Sequence, residues 1–157
     1  KQSTIIRTSW LMSPFGKNFL LTIFNLLKKK KEISVVNDQI GSPTSCDSLA
    51  KICWDTLKIK KSAENNHLPR LMHWSNYGEA SWYQIANLIL DVSKELNLIS
   101  NNPIIRPIRT SEYKFKAKRP KYSVLDSSLT SQKLGFINIT WEEAIKEILY
   151  YIYKNNI

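Results

Sequence analysis

Two short stretches carry the polar side chains best placed to act on a ligand. Ile5-Ile6-Arg7-Thr8-Ser9-Trp10 and Val35-Val36-Asn37-Asp38-Gln39-Ile40-Gly41-Ser42-Pro43-Thr44 each read as a strand that stops abruptly in polar residues. That is where α/β proteins place ligand contacts. In the second stretch Gly41 and Pro43 fix a tight loop, and the Gln39 amide presents both a donor and an acceptor to a nucleotide. Loops of defined geometry at the carboxyl end of a strand commonly bind, so Gln39 is the candidate within this one. Trp10 offers a flat apolar face with a single N–H at its edge, which suits a sugar ring. A core tryptophan at a strand terminus is the alternative.

Charge points the same way. The formal net charge is +10, and it is unevenly spread. Between Arg106 and Lys121, the bases Arg106, Arg109, Lys114, Lys116, Lys118, Arg119 and Lys121 face a single acid, Glu112. Such a loop-like segment invites an anionic ligand, and a nucleoside diphosphate would serve as well as a polynucleotide. The run Lys28-Lys29-Lys30-Lys31 instead ends an amphipathic helix, where cations complement the helix dipole. No apolar run approaches the roughly 20 residues of a membrane span. Cys46 and Cys53 lie two helical turns apart, too far for a disulfide and without a nearby histidine for a metal. Reduced thiols point to the cytoplasm. His67 and His73 are read as structural.

These side chains need a scaffold. Alternating patterns predict strands at residues 3–9, 32–37, 71–74 and 104–108. Helical spacing predicts helices from Lys17 to about Lys31 and from Ser45 or Asp47 to about Leu57. Further helices are capped by Ser81, end at Gly135, or are capped by Thr140. Residues 58–69 read as an exposed polar loop. The class is therefore α/β, without internal repeats, and about four short strands are few for a self-sufficient sheet. The chain opens on Lys1 and enters a strand-like segment at once, with no visible targeting peptide. A fragment or truncated product is expected.

Taken in order, Arg7-Thr8-Ser9-Trp10, Asp38-Gln39-Ile40-Gly41-Ser42-Pro43-Thr44, Ala80-Ser81-Trp82-Tyr83 and Arg119-Pro120 with Ser123-Val124-Leu125-Asp126 resemble the dTDP-4-dehydrorhamnose reductase family. These are sugar-nucleotide reductases of the extended short-chain dehydrogenase type. The similarity runs from Ile5 to about Ile152. It departs at Lys118, where the family has arginine, and at 65–71, where a Gly-x-Tyr is expected before His73.

The resemblance implies the C-terminal part of such an enzyme: an incomplete Rossmann-like sheet plus a small substrate-binding α/β subdomain. Residues 1–157 would be the substrate-binding portion, and the N-terminal NAD(P)-binding portion would be absent. The four glycines, Gly16, Gly41, Gly78 and Gly135, form no G-x-G-x-x-G turn, so NADPH or NADH is expected to be bound mainly by that missing half. The family's Tyr-x-x-x-Lys acid is expected upstream too, and the match at Tyr150 and Lys154 is read as coincidence. No catalytic residue is therefore expected here.

For the substrate, the resemblance implies Trp10 against the sugar nucleotide and Arg119 on its diphosphate. It also offers Asn18, in Gly16-Lys17-Asn18-Phe19, as a second diphosphate contact; capping the helix is the equal alternative. Magnesium is not carried over, because Asp47 roughly matches one acidic position while the other is replaced near Tyr151. The implied reaction is NAD(P)H-dependent reduction of dTDP-4-dehydrorhamnose to dTDP-L-rhamnose. The expected partner is a dTDP-sugar, with no nucleic acid, no membrane, and a homodimer of the full-length enzyme allowed. Two classes stay open: a non-catalytic regulatory relative that binds methionine adenosyltransferase, and a basic nucleic-acid-binding module.

Overall fold

Strands and helices alternate along the chain. The structure, a computed structural model, describes residues 3–62, 68–113 and 118–157, with the side chains of 60–62 excepted. His67, Lys114 and Lys116 lie outside the described residues. Strands β1 (Ile5–Thr8) and β2 (Leu11–Met12) lead into helix α1 (Phe19–Lys29) and strand β3 (Glu32–Val36). The next loop holds β4 (Ile40–Gly41) and β5 (Thr44–Ser45) and opens into α2 (Cys46–Ser62). Then come β6 (Leu71–Trp74), β7 (Ala80–Ser81), α3 (Trp82–Glu95) and β8 (Ile104–Ile108). A 3-10 turn at Thr110–Glu112 precedes β9 (Tyr122–Ser123), α4 (Ser128–Leu134) and α5 (Trp141–Lys154).

The expected α/β class and all four expected strands are present. They pair in parallel as β1 with β6, Ile5 opposite Leu71, and β3 with β8, Glu32 opposite Ile104. The five two-residue strands were not foreseen. Of these, β4 lies between β7, antiparallel to it, and β9, parallel to it, while β2 pairs with β5.

Each helix has a local reason to start. The Asn18 side chain accepts the Leu21 N–H at 3.1 Å and caps α1. Ser81 with Gln84, and Thr140 with Glu143, form reciprocal capping boxes at α3 and α5. Ser45 Oγ accepts the Ser48 N–H at 3.2 Å, so of the two residues offered as caps for α2 it is the serine that serves. Gly135, at φ 61°, closes α4 in the left-handed region. Asp126 accepts the Ser128 N–H at 2.9 Å and so steadies the start of α4.

Helix α2 runs to Ser62, past the expected end near Leu57. Nothing breaks the helix there, since neither glycine nor proline occurs before Pro69. Lys58 also pairs with Asp55 one turn earlier, at 3.5 Å. The core lies where α1, α3 and α5 meet β3 and β8. It includes Leu20, Ile23, Leu27, Ile85, Ile89, Ile145 and Leu149, with Ile33 and Ile105 from the paired strands. No helix among the described residues is long and apolar enough to cross a membrane.

Candidate functional site

Trp10, Gln39 and Arg119 come together on one cleft of about 520 Å³, although 109 positions separate the first from the last in sequence (119 less 10). The cleft sits over α1 and the ends of β1 and β3. Its apolar wall is Trp10, Phe19, Ile23, Leu26 and Trp82, and Tyr113, Arg119, Pro120 and Ser123 line it as well.

The wall is built from an unusual backbone. Trp10 has φ 45°, a region bulky L-residues seldom enter. Three bonds hold it there. The Thr44 N–H donates to Trp10 O at 3.2 Å, Thr44 Oγ1 donates to Ser9 O at 2.6 Å, and Ser9 Oγ donates to Ser42 O at 2.7 Å. The ring stacks on Trp82, centroids 3.6 Å apart and planes 12° from parallel. Phe19 leans on Trp82 at 4.4 Å. On its benzenoid side Trp10 abuts Gly41, where a Cβ would stand 2.5 Å from Cε2 and 2.6 Å from Cζ2. Only glycine admits the ring so close. One face of Trp10 is thus covered by Trp82, and the residue still lines the cleft.

Gln39 is buried, and both ends of its amide are engaged. Its Oε1 accepts the Trp82 indole N–H at 3.2 Å, and its Nε2 donates to Thr110 Oγ1 at 3.2 Å. Thr110 in turn donates its N–H and hydroxyl to Asp38 Oδ1, at 2.8 and 2.6 Å. Those bonds, the hydroxyl's foremost, hold the Asp38 carboxyl below the usual carboxylate range.

Arg119 is exposed, and among the described residues no carboxylate pairs with it. Strand β9 follows it and is anchored twice: the Ile40 N–H donates to Lys121 O at 2.8 Å, and Tyr122 Oη donates to Glu79 Oε2 at 2.6 Å. That acceptor raises the Tyr122 phenol above its ordinary pKa. The basic segment is less uniform than its composition. Arg106 is taken up by Glu32 at 2.6 Å, and Glu112 binds the Arg109 backbone N–H at 2.7 Å.

Asn18 stands apart from the other three candidates and does not line the cleft. Besides capping α1 it donates to Ser13 O and Phe15 O, at 2.9 and 3.1 Å. Tyr150 and Lys154 lie on α5, and neither lines the cleft. A second hollow of about 330 Å³, among Ser75, Asn76, Gly78, Asp126 and Asn138, holds none of the sequence candidates. Among the described residues, no group of three or more His, Cys, Asp or Glu side chains is placed to hold a metal ion.

Trp82 and Phe19 line the cleft although sequence reasoning did not offer them as ligand contacts. The available signal was position, since each is the first residue of a helix directly after its cap.

Residues 1–153 match the family model described as the RmlD substrate binding domain. The chain belongs to this family. It is 39% identical over 149 residues to the spore coat polysaccharide biosynthesis protein SpsK of Bacillus subtilis, covering 95% of this chain and 47% of that one. Its fold is similar to a dTDP-4-dehydrorhamnose reductase from Clostridium acetobutylicum, with TM-score 0.80, 33% identity, and coverage of 95% and 48%. It is also similar to the dTDP-4-dehydrorhamnose reductase of Bacillus anthracis in complex with NADP, with TM-score 0.75, 32% identity, and coverage of 96% and 49%. The match falls on the C-terminal portion of such enzymes. The chain spans about half the length of the relatives it matches.

Proposed function

We propose that this chain is the sugar-nucleotide-binding portion of an NAD(P)H-dependent reductase that converts dTDP-4-dehydrorhamnose to dTDP-L-rhamnose for deoxysugar and polysaccharide synthesis in the cytoplasm. The observation that carries the reading is a single cleft with stacked indoles on one side and the exposed Arg119 on another. An apolar wall suits the sugar and base. A guanidinium fork suits a diphosphate, for which charge-assisted pairs are strong.

In this division of labour the chain binds and orients, and the N-terminal portion of the full-length enzyme holds the cofactor and supplies the acid. The fit of the residues supports that split. The glycines at 16, 41, 78 and 135 form no phosphate-cradling turn, so no hydride or proton step is derived from this chain. The bare outer strand β1, with Ile5 exposed, suits a sheet that continues into that other portion. Among the described residues no group of three or more His, Cys, Asp or Glu side chains, Asp47 included, is placed to hold magnesium.

The test is a thermal-shift titration with dTDP beside random-sequence DNA. At about 100 times Kd a ligand adds about 2.7 kcal/mol to stability. Arg119→Ala is expected to weaken dTDP about tenfold, the worth of one charge-assisted contact. An unchanged response removes Arg119 from the site. Preference for DNA with a steep salt slope favours the nucleic-acid module instead.

A further inference from the structure

We infer that Gln39 is a positioning residue: it touches no ligand, and acts by fixing the Trp82 indole and, through the ring stack, Trp10. The inference rests on the cleft being the sugar-nucleotide site.

A primary amide that binds a nucleotide must present a free donor or acceptor to it. Gln39 has one N–H and one oxygen lone pair already engaged within the protein, and its burial leaves little of the amide to offer. Its oxygen receives the Trp82 N–H and its nitrogen reaches Thr110 Oγ1, both at 3.2 Å, while the residue is 3% exposed. Releasing it toward a ligand would leave the Trp82 N–H without its acceptor in a semi-buried setting, which is costly. The bonds form one chain, from Trp82 through Gln39 to Thr110 and Asp38. Two of its members lead to the cleft lining. Trp82 carries Trp10 at 3.6 Å, and Thr110 begins the turn that leads to Tyr113, which also lines the cleft.

Rotation of the Trp82 ring about its side-chain bonds would unstack Trp10; the Gln39 bond resists that rotation at the indole N–H, and Phe19 supports the ring at 4.4 Å. On the other side Gly41 sets how far Trp10 can retreat. Gln39 therefore helps to set the orientation of the apolar wall, and its substitution acts on ligand affinity through Trp82. Networks of this kind couple more strongly than isolated contacts.

A double-mutant cycle on this chain decides the matter, with Gln39→Leu, Trp82→Phe and the pair, each titrated with dTDP. Phe keeps a ring for stacking but has no N–H for Gln39. Gln39→Leu alone is expected to weaken dTDP about fivefold, and to add almost nothing in the Trp82→Phe background. Effects that multiply in the pair mean direct contact of Gln39 with the ligand and overturn the inference.

A second readout needs no ligand. Gln39→Leu should shift the Trp82 indole N–H resonance and weaken the circular-dichroism couplet of the stacked indoles. If both stay as in the parent, the inference fails. Thr110→Val, at a less buried position, should give the same changes in smaller degree, and covers the case in which Gln39→Leu does not fold. Failure of dTDP to bind the parent overturns the proposed function alone, while the indole signals still judge Gln39.

Discussion

The side of the molecule built on α1, α3, α5 and the β3–β8 pair closes around a shared core. The side built on β1, β6 and α2 keeps large apolar side chains in water. Leu20, Ile85, Ile145 and Leu149 of the first are wholly buried in one cluster. Ile52, Met72 and Trp74 of the second are buried, but outside that cluster. Beside them Ile5 is 60%, Trp54 61% and Leu57 53% exposed. The physical reason lies in the sheets. Parallel strands are stable when both faces are covered. The β3–β8 pair has α3 packed on it, although Ile104 at its start is 55% exposed, whereas α4 packs on β6 and no residue of β1 is buried. The first region carries most of the cleft and supports itself. The second leaves apolar side chains exposed, and the chain spans about half the length of its relatives.

The sharpest way to break this contrast is to truncate one side chain in each region. Leu149→Ala in the core should cost about 2–5 kcal/mol, the range for a buried leucine. Trp54→Ala on the open side should stay within about 0.5 kcal/mol. Urea unfolding of this chain measures both, and equal losses would dissolve the distinction. At the seam between the regions, Gly41→Ala forces a methyl against the Trp10 ring. It should cost about 1–3 kcal/mol as overpacking and dull the dTDP response, both read in one thermal-shift series. A wild-type response would show that Trp10 moves freely.

The smallest effect expected is one of pH. Thr110 holds the folded-state pKa of Asp38 below its unfolded value. Its contribution is therefore fully present above the unfolded value, and is lost as pH falls through the folded one, below about pH 4. Asp38→Asn should flatten that part of the stability profile. A profile unchanged by the substitution would remove the Asp38–Thr110 link from the account.

Much of this was legible along the chain. The four longer strands and the caps at Asn18, Ser81 and Thr140 follow from periodicity and local side-chain chemistry, which act over a few residues. The two-residue strands were not, because a pair of residues has no period and β4 exists only where β7 and β9 meet it. The end of α2 was misplaced because lysines suggest solvent, and solvent exposure does not end a helix.

The site shows the same division. Sequence, read with the family resemblance, named Trp10, Gln39 and Arg119, and all three line one cavity. Only the tertiary structure decided which of their groups are already engaged. Asn18 is occupied by its own helix start. Trp10 is half covered by Trp82, and the amide of Gln39 is taken by Trp82 and Thr110, 43 and 71 positions away. A side chain's type sets what it can bond, but which partners reach it first depends on segments brought close by packing, and no local pattern encodes that distance.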